Sequence, residues 1–176
     1  MIKTAEQIKN IRVAGKILAN VSKKVRSEVK EGITLKELDT LTRRLIEEAG
    51  AEPTFLGYRP YGADRPFPAS ICASVNEIVV HGIPTGYKLK SGDIVSLDFG
   101  VTYNGFIADA AFTVGVGKIS KEARELIETT HHALTLGIKE CKAGKTLGDL
   151  GWTINNYVTK RGFKVVKGLT GHGVGI

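Results

Sequence analysis

Apolar residues recur along the first half of this chain with two different periods. Ile8, Ile11, Leu18, Val21 and Val25 fall near helical spacing with Lys and Arg between them. Thr4, with Gln7 three residues on, predicts a capping box at the start of that helix, and Gly32 predicts its end. Leu35, Leu38, Leu41, Leu45 and Ile46 repeat the pattern after Thr34 and Glu37, and Gly50 closes it. From Asp93 to Gly117 the period changes to two. Short apolar runs flank Asn104-Gly105, a strong hairpin signal. A two-residue loop pairs Tyr103 with Phe106, Phe99 with Ala110 and Leu97 with Phe112. One face then collects Val95, Leu97, Phe99, Val101, Phe106, Ala108, Ala110, Phe112 and Val114. The opposite face carries Ile94, Ser96, Asp98, Ile107, Asp109, Ala111 and Thr113, so Asp98 and Asp109 become diagonal neighbours. A loop one residue longer would separate the two aspartates and mix the apolar set, which over-determines the register.

Between these regions Pro53 to Ser70 is irregular and rich in Pro, Gly and aromatics, and Ile71 to Val80 reads as a strand in two pieces around Asn76-Glu77. A third helix is expected from near Ser120 to Gly144, a fourth from Thr146 to Gly162, then a short strand at Phe163 to Val166. The segments KEGITLKEL at Lys30 to Leu38 and KAGKTLGDL at Lys142 to Leu150 match at Lys, Gly, Thr, Leu and Leu. Gly50 and Gly162 lie at the same offset of 112. This predicts a duplicated unit, with halves of about 1–115 and 116–176. Carried forward by that offset, Asp98 and Asp109 would have counterparts near positions 210 and 221, so the second half is expected to lack its hairpin.

Composition adds little. Hydrophobic content of 42% and charged content of 24% are ordinary for a globular protein. No apolar run is long enough to span a membrane, and the charged opening does not read as a signal peptide. Cys72 and Cys141 have no CxxC spacing, which speaks against a disulfide scaffold or structural zinc, so a cytoplasmic setting is expected. A net charge of +7 suits anionic surfaces such as RNA, but the lysines are spread along helices and read first as a solvated basic face. No GxSxG, P-loop, HExxH or GxGxxG in a strand-to-helix setting is present. His131 and His132 sit within the third helix and receive no role. His81 and His172 are each followed by glycine, and His172 is enclosed by Gly171 and Gly173, with Gly168 and Gly175 nearby. Two same-face aspartates with His172 make a plausible site for a hard-to-borderline divalent ion: manganese, iron, cobalt or zinc. His81 remains to hydrogen-bond a substrate carbonyl or amide.

NEIVVHGIP (Asn76 to Pro84), the Asp98 and Asp109 pair with NGF between, GHGVG from Gly171, and the opening IKTAEQIKNIRVAGKI resemble the type I methionine aminopeptidases of bacteria. The resemblance implies an α/β (α+β) "pita-bread" fold of the creatinase and aminopeptidase kind. That is a curved antiparallel sheet backed by helices, here a single catalytic domain over 1–176 whose second pseudo-symmetric half is incomplete. It also implies Asp98 on one metal, Asp109 bridging two, and His172 on the other. By the same resemblance His81 would be the catalytic, substrate-contacting residue, and Tyr58, Tyr61 and Cys72 would form the methionine pocket. A metal-bound hydroxide would attack the first peptide bond and release the initiator methionine of nascent polypeptides. Ribosome association fits the basic charge; no membrane or DNA partner is expected. Two glutamate ligands and a second histidine of the family lie beyond His172, so this chain alone is expected to be weakly active or inactive. The segment Gly62 to Phe67 reads as an insertion, which weakens the place of Tyr61. A non-catalytic binding module on the same fold, ribosome- or RNA-associated, and a hydrolase of proline peptides are the alternatives.

Overall fold

A computed structural model describes residues 2–174. The chain forms two compact units, one from the part up to Ile119 and one from Ser120–His172.

The first unit contains α1 (Ala5–Glu28), α2 (Leu35–Glu48), β1 (Glu52–Pro53), β2 (Cys72–Val75), β3 (Ile94–Tyr103) and β4 (Phe106–Gly115). Both helices start at reciprocal caps. Gln7 N donates to Thr4 Oγ1 at 3.2 Å and Thr4 N donates to Gln7 Oε1 at 2.8 Å. Thr34 and Glu37 repeat the arrangement at 3.1 and 2.7 Å, so each helix begins with two of its orphan donors satisfied. Ala14, Leu18, Val21 and Val25 of α1 and Leu35, Leu38, Thr42, Leu45 and Ile46 of α2 are buried.

β3 is central, and the sheet is antiparallel throughout. It pairs with β4 along its whole length; on its other edge β2 pairs with its first half and β1 with its end. The hairpin register is Tyr103 opposite Phe106, Phe99 opposite Ala110 and Leu97 opposite Phe112, as the alternation predicts. Asn104 at φ 49° and Gly105 at φ 77° make the turn, the pairing of positive φ values that a two-residue hairpin loop requires. Val95, Leu97, Phe99, Val101 and Ala108 are buried in one cluster with α1 and α2, and Phe112 and Val114 pack against it. Burying side chains of this size contributes about 1.5–3 kcal/mol each. Ala110 is on the same face yet exposed. Among the described residues β4 has a strand neighbour on one side only, so the outer margin of the apolar face is covered less.

The strand expected over Ile71 to Val80 is shorter. Asn76 takes φ 52° and its side-chain Oδ1, in place of its backbone carbonyl, accepts from the N–H of Ile94, which ends β2 at Val75.

The second unit holds α3 (Lys121–Glu140) and α4 (Leu147–Lys160). Three of their four ends fall 112 residues after those of α1 and α2: Glu28 and Glu140, Leu35 and Leu147, Glu48 and Lys160. Thr146 and Asp149 form a third capping box. α3 buries Thr129, Ala133 and Gly137. A Cβ on Gly137 would lie 3.0 Å from Ile154 Cδ1 and 3.1 Å from Leu150 Cδ1, so the glycine sets how closely the helices approach. α3 ends at Glu140 rather than Gly144, because Cys141 leaves helical geometry at ψ 72°. Phe163 to Val166 is not a strand. Gly162 at φ 83° closes α4, the N–H of Phe163 turns back to Val158, and no strand pairs with this segment among the described residues.

Candidate metal centre

Register places the chemistry. Asp98 lies opposite Ala111 and Asp109 opposite Gly100, so the two aspartates are diagonal neighbours on the face turned away from the apolar cluster. Asp98 is half-buried and Asp109 exposed. Cys72 of β2 lies directly opposite Asp98 on β3, which puts its thiol on the same face. Its pKa is pushed up to about 12, first by burial and then by the negative charges of Asp98 and Asp109. The thiol thus registers both carboxylates at once. It is a poor nucleophile there, and the concentrated negative potential around it complements a cation. Further along this face Ser96 and Thr113 share a hydrogen bond of 2.7 Å, and Thr54 and Thr102 one of 2.9 Å.

An apolar wall stands beside the carboxylates. Gly100, opposite Asp109, has no side chain where a Cβ would meet Thr54 Cβ at 2.8 Å and Phe55 Cε1 at 3.2 Å. Phe55 therefore lies over the strand next to the acidic pair. Phe67 meets it edge-on, ring centroids 6.5 Å apart. The N–H of Gly57 donates to Phe67 and the N–H of Phe67 to Tyr58, which closes the base of the intervening loop. Tyr58 is 60% exposed and Tyr61 fully so. The sequence reading assigns no role to Phe55, Phe67 or Gly100. An isolated glycine within a strand was the available signal, since it marks a close approach from above. The other end of the loop is held by Asp39 of α2, whose Oδ1 accepts from Ser70 N at 2.7 Å and Ile71 N at 3.2 Å just ahead of Cys72. Burial pushes the Asp39 carboxyl above its ordinary value despite those two bonds.

His81 is exposed and takes φ 58°. Its successor is seated on β2: Ala73 N donates to the Gly82 carbonyl at 2.7 Å, and Gly82 N donates to Ser74 Oγ at 3.1 Å. His172 ends the second unit, exposed and after Gly168 at φ 84°; Gly175, the last glycine of its motif, lies outside the described residues. His131 and His132 are exposed on α3. Among the described residues no three His, Cys, Asp or Glu side chains gather as a ligand set. What the first unit offers is two hard carboxylate donors on one face of neighbouring strands, the donor chemistry that a divalent ion takes. No helix among the described residues is long and apolar enough to cross a membrane.

Comparison with known proteins points the same way. Residues 9–176 match metallopeptidase family M24. The methionine aminopeptidase of Clostridium perfringens is 45% identical over 175 residues, which span 99% of this chain and 68% of that protein. The crystal structure of methionine aminopeptidase from Rickettsia prowazekii superposes with a TM-score of 0.93 at 35% identity, and that from Thermotoga maritima with 0.92 at 38%. Each covers 99% of this chain and 68% of the other. The chain thus spans about two thirds of the length of the relatives it matches. The likeness extends to the fold: an antiparallel sheet backed by helices, the pita-bread arrangement.

Proposed function

The chain belongs to metallopeptidase family M24, in the company of the methionine aminopeptidases, and we propose that it takes part in removing the N-terminal methionine of new polypeptides. The observation that carries this reading is the shared face of Asp98, Asp109 and Cys72 beside Phe55. In this reading Asp98 and Asp109 would hold a divalent ion and His172 would supply an imidazole ligand. Such an ion, when bound, supplies a Lewis acid that polarises a carbonyl and activates water at neutral pH. The chain's own residues do the rest. Cys72, kept as an uncharged thiol, and the rings of Phe55 and Phe67 offer the soft, apolar surroundings that a thioether prefers. Tyr58 and Tyr61 extend from the same loop toward the outside and complete the rim. His81, exposed on its segment, donates to or accepts from the amide being cleaved. The substrate is the start of a nascent chain, met at the ribosome in the cytoplasm, and the net charge of +7 favours that anionic neighbourhood.

Calorimetry with Mn²⁺ and a Met-Ala-Ser hydrolysis assay test the proposal. Asp98→Asn and Asp109→Asn are each expected to weaken Mn²⁺ binding by at least about tenfold. Release of methionine from Met-Ala-Ser, with none of leucine from Leu-Ala-Ser, supports the aminopeptidase reading. Equal cleavage of proline-containing peptides that lack methionine would move the chain to a proline-peptide hydrolase. Ion binding with no cleavage of any peptide fits both a binding module and the weakly active or inactive chain expected from the sequence. Calorimetric binding of Met-Ala-Ser but not of Leu-Ala-Ser then favours the aminopeptidase reading, and binding of neither favours the module.

A further inference from the structure

The segment that carries His81 leaves the sheet at Val75 and rejoins it at Ile94. One buried carboxylate holds both of its ends. Asp93, 7% exposed, accepts from Asn76 Nδ2 at 3.0 Å through Oδ1. Through Oδ2 it accepts from Tyr87 OH at 3.0 Å and from Lys90 N at 2.9 Å. Asn76 is where the chain departs and Tyr87 to Lys90 is where it returns. Asn76 is further tied to β3, since its N–H donates to the Ile94 carbonyl and Ile94 N donates to its Oδ1, each at 3.0 Å. The backbone carbonyl of Asp93 accepts from Val116 N at 2.8 Å, which joins the same point to the end of β4. Burial raises the cost of the Asp93 charge, but the bonds from Asn76, Lys90 and Tyr87, with the Lys90 charge, hold its carboxyl below the ordinary range.

The midpoint of that segment needs such support. Asn76 and His81 both sit at positive φ, a region that costs a side-chain-bearing residue energy unless its surroundings impose it. Between the two, Ile78, Val79 and Val80 are exposed and provide no buried packing of their own. Gly82 seats the middle of the segment on β2, while the return leg is held at Thr85, Tyr87 and Leu89 by the N–H groups of Lys36, Leu35 and Gly32.

We propose that Asp93 is a positioning residue for His81, clamping the two ends of the Asn76–Lys90 excursion so that the imidazole is presented in one orientation. This rests on the role given to His81 above, and the experiment separates the two. Asp93→Asn, Asp93→Ala and Tyr87→Phe are made in the full chain, with Leu45→Ala as a core variant that lowers stability elsewhere. The readouts are the His81 Cε1–H resonance, amide exchange at Ala73 and Gly82, Mn²⁺ affinity, and calorimetric affinity for Met-Ala-Ser. Expected are a displaced or broadened His81 resonance and faster exchange at Gly82 in both Asp93 variants, with a smaller effect in Tyr87→Phe. Mn²⁺ affinity stays within twofold, and Met-Ala-Ser binds about tenfold more weakly. Leu45→Ala lowers the melting temperature and moves none of these. If the Asp93 variants only lose melting temperature, as Leu45→Ala does, while His81 and Gly82 are unmoved, the clamp is wrong. If His81 moves as expected but His81→Ala changes neither peptide binding nor turnover, the clamp stands and the role of His81 falls.

Discussion

A methyl group added at Gly82 would sit 2.3 Å from the carbonyl oxygen of Ala73 and 2.9 Å from its carbon. Those are backbone atoms of a paired strand, so nothing nearby can swing aside. At Gly100 the added atom meets side chains instead, Thr54 Cβ at 2.8 Å and Phe55 Cε1 at 3.2 Å. The two glycines therefore predict different failures. Gly82→Ala should cost about 1–3 kcal/mol in urea denaturation, the usual range for overpacking, by forcing the His81 segment off β2. Gly100→Ala should cost less, because Thr54 and Phe55 can rotate, but it should weaken methionine binding more, because Phe55 is displaced from the apolar wall. Calorimetry with free methionine and urea midpoints on both variants check the reversal; a Gly100→Ala chain that binds methionine normally would take Phe55 out of the pocket.

Capping boxes give helices α2 and α4 a dependence on acid that packing does not. Glu37 is held below the ordinary value of 4.5 by the Thr34 hydroxyl and N–H, with the Lys88 charge adding to it. Asp149 is held below 3.8 by the Thr146 N–H and hydroxyl, aided by Lys145. A folded value below the unfolded one means that the stabilisation is whole above the ordinary value and is lost as pH falls through the folded one. Thr34→Ala should thus lower the urea midpoint at pH 7 and progressively less toward pH 3. Thr146→Ala should act first on α4, seen as faster amide exchange over Leu147–Lys160, because that helix has no fully buried residue. These boxes, the Asn104-Gly105 hairpin and its register were legible because each rests on a few neighbouring residues whose chemistry allows one arrangement. The strands expected beyond Asn76 and at Phe163 to Val166 were not. A strand needs a partner, and local apolar content says nothing about whether one arrives. The aspartate pair was legible for the same reason as the register. The aromatic wall was not, because only the fold brings Phe55 over Gly100.

Stability is distributed unevenly between the two units. The first gathers Phe99, Leu97, Val95, Val101, Leu38, Ile46 and Val25 into one cluster, each almost wholly removed from water. The second fully buries only small residues on α3, and leaves Leu134, Ile138, Leu147 and Trp152 exposed by 55%, 62%, 85% and 68%. By the area of apolar surface removed from water, the second unit should open first. The chain's single tryptophan, Trp152, reports on it directly. Urea unfolding followed by tryptophan fluorescence should therefore have a lower midpoint than the same transition followed by far-ultraviolet circular dichroism, a departure from two-state behaviour. Mn²⁺ turns this into a test of the ligand set. An ion bound to the folded state alone, at a hundred times its dissociation constant, adds about 2.7 kcal/mol. Asp98 and Asp109 belong to the first unit and His172 to the second. With all three as ligands, Mn²⁺ should raise both midpoints, and His172→Ala should return the tryptophan midpoint to its metal-free value. A rise in the circular dichroism midpoint with an unmoved tryptophan midpoint would leave the aspartates as the ion's ligands and remove His172 from among them.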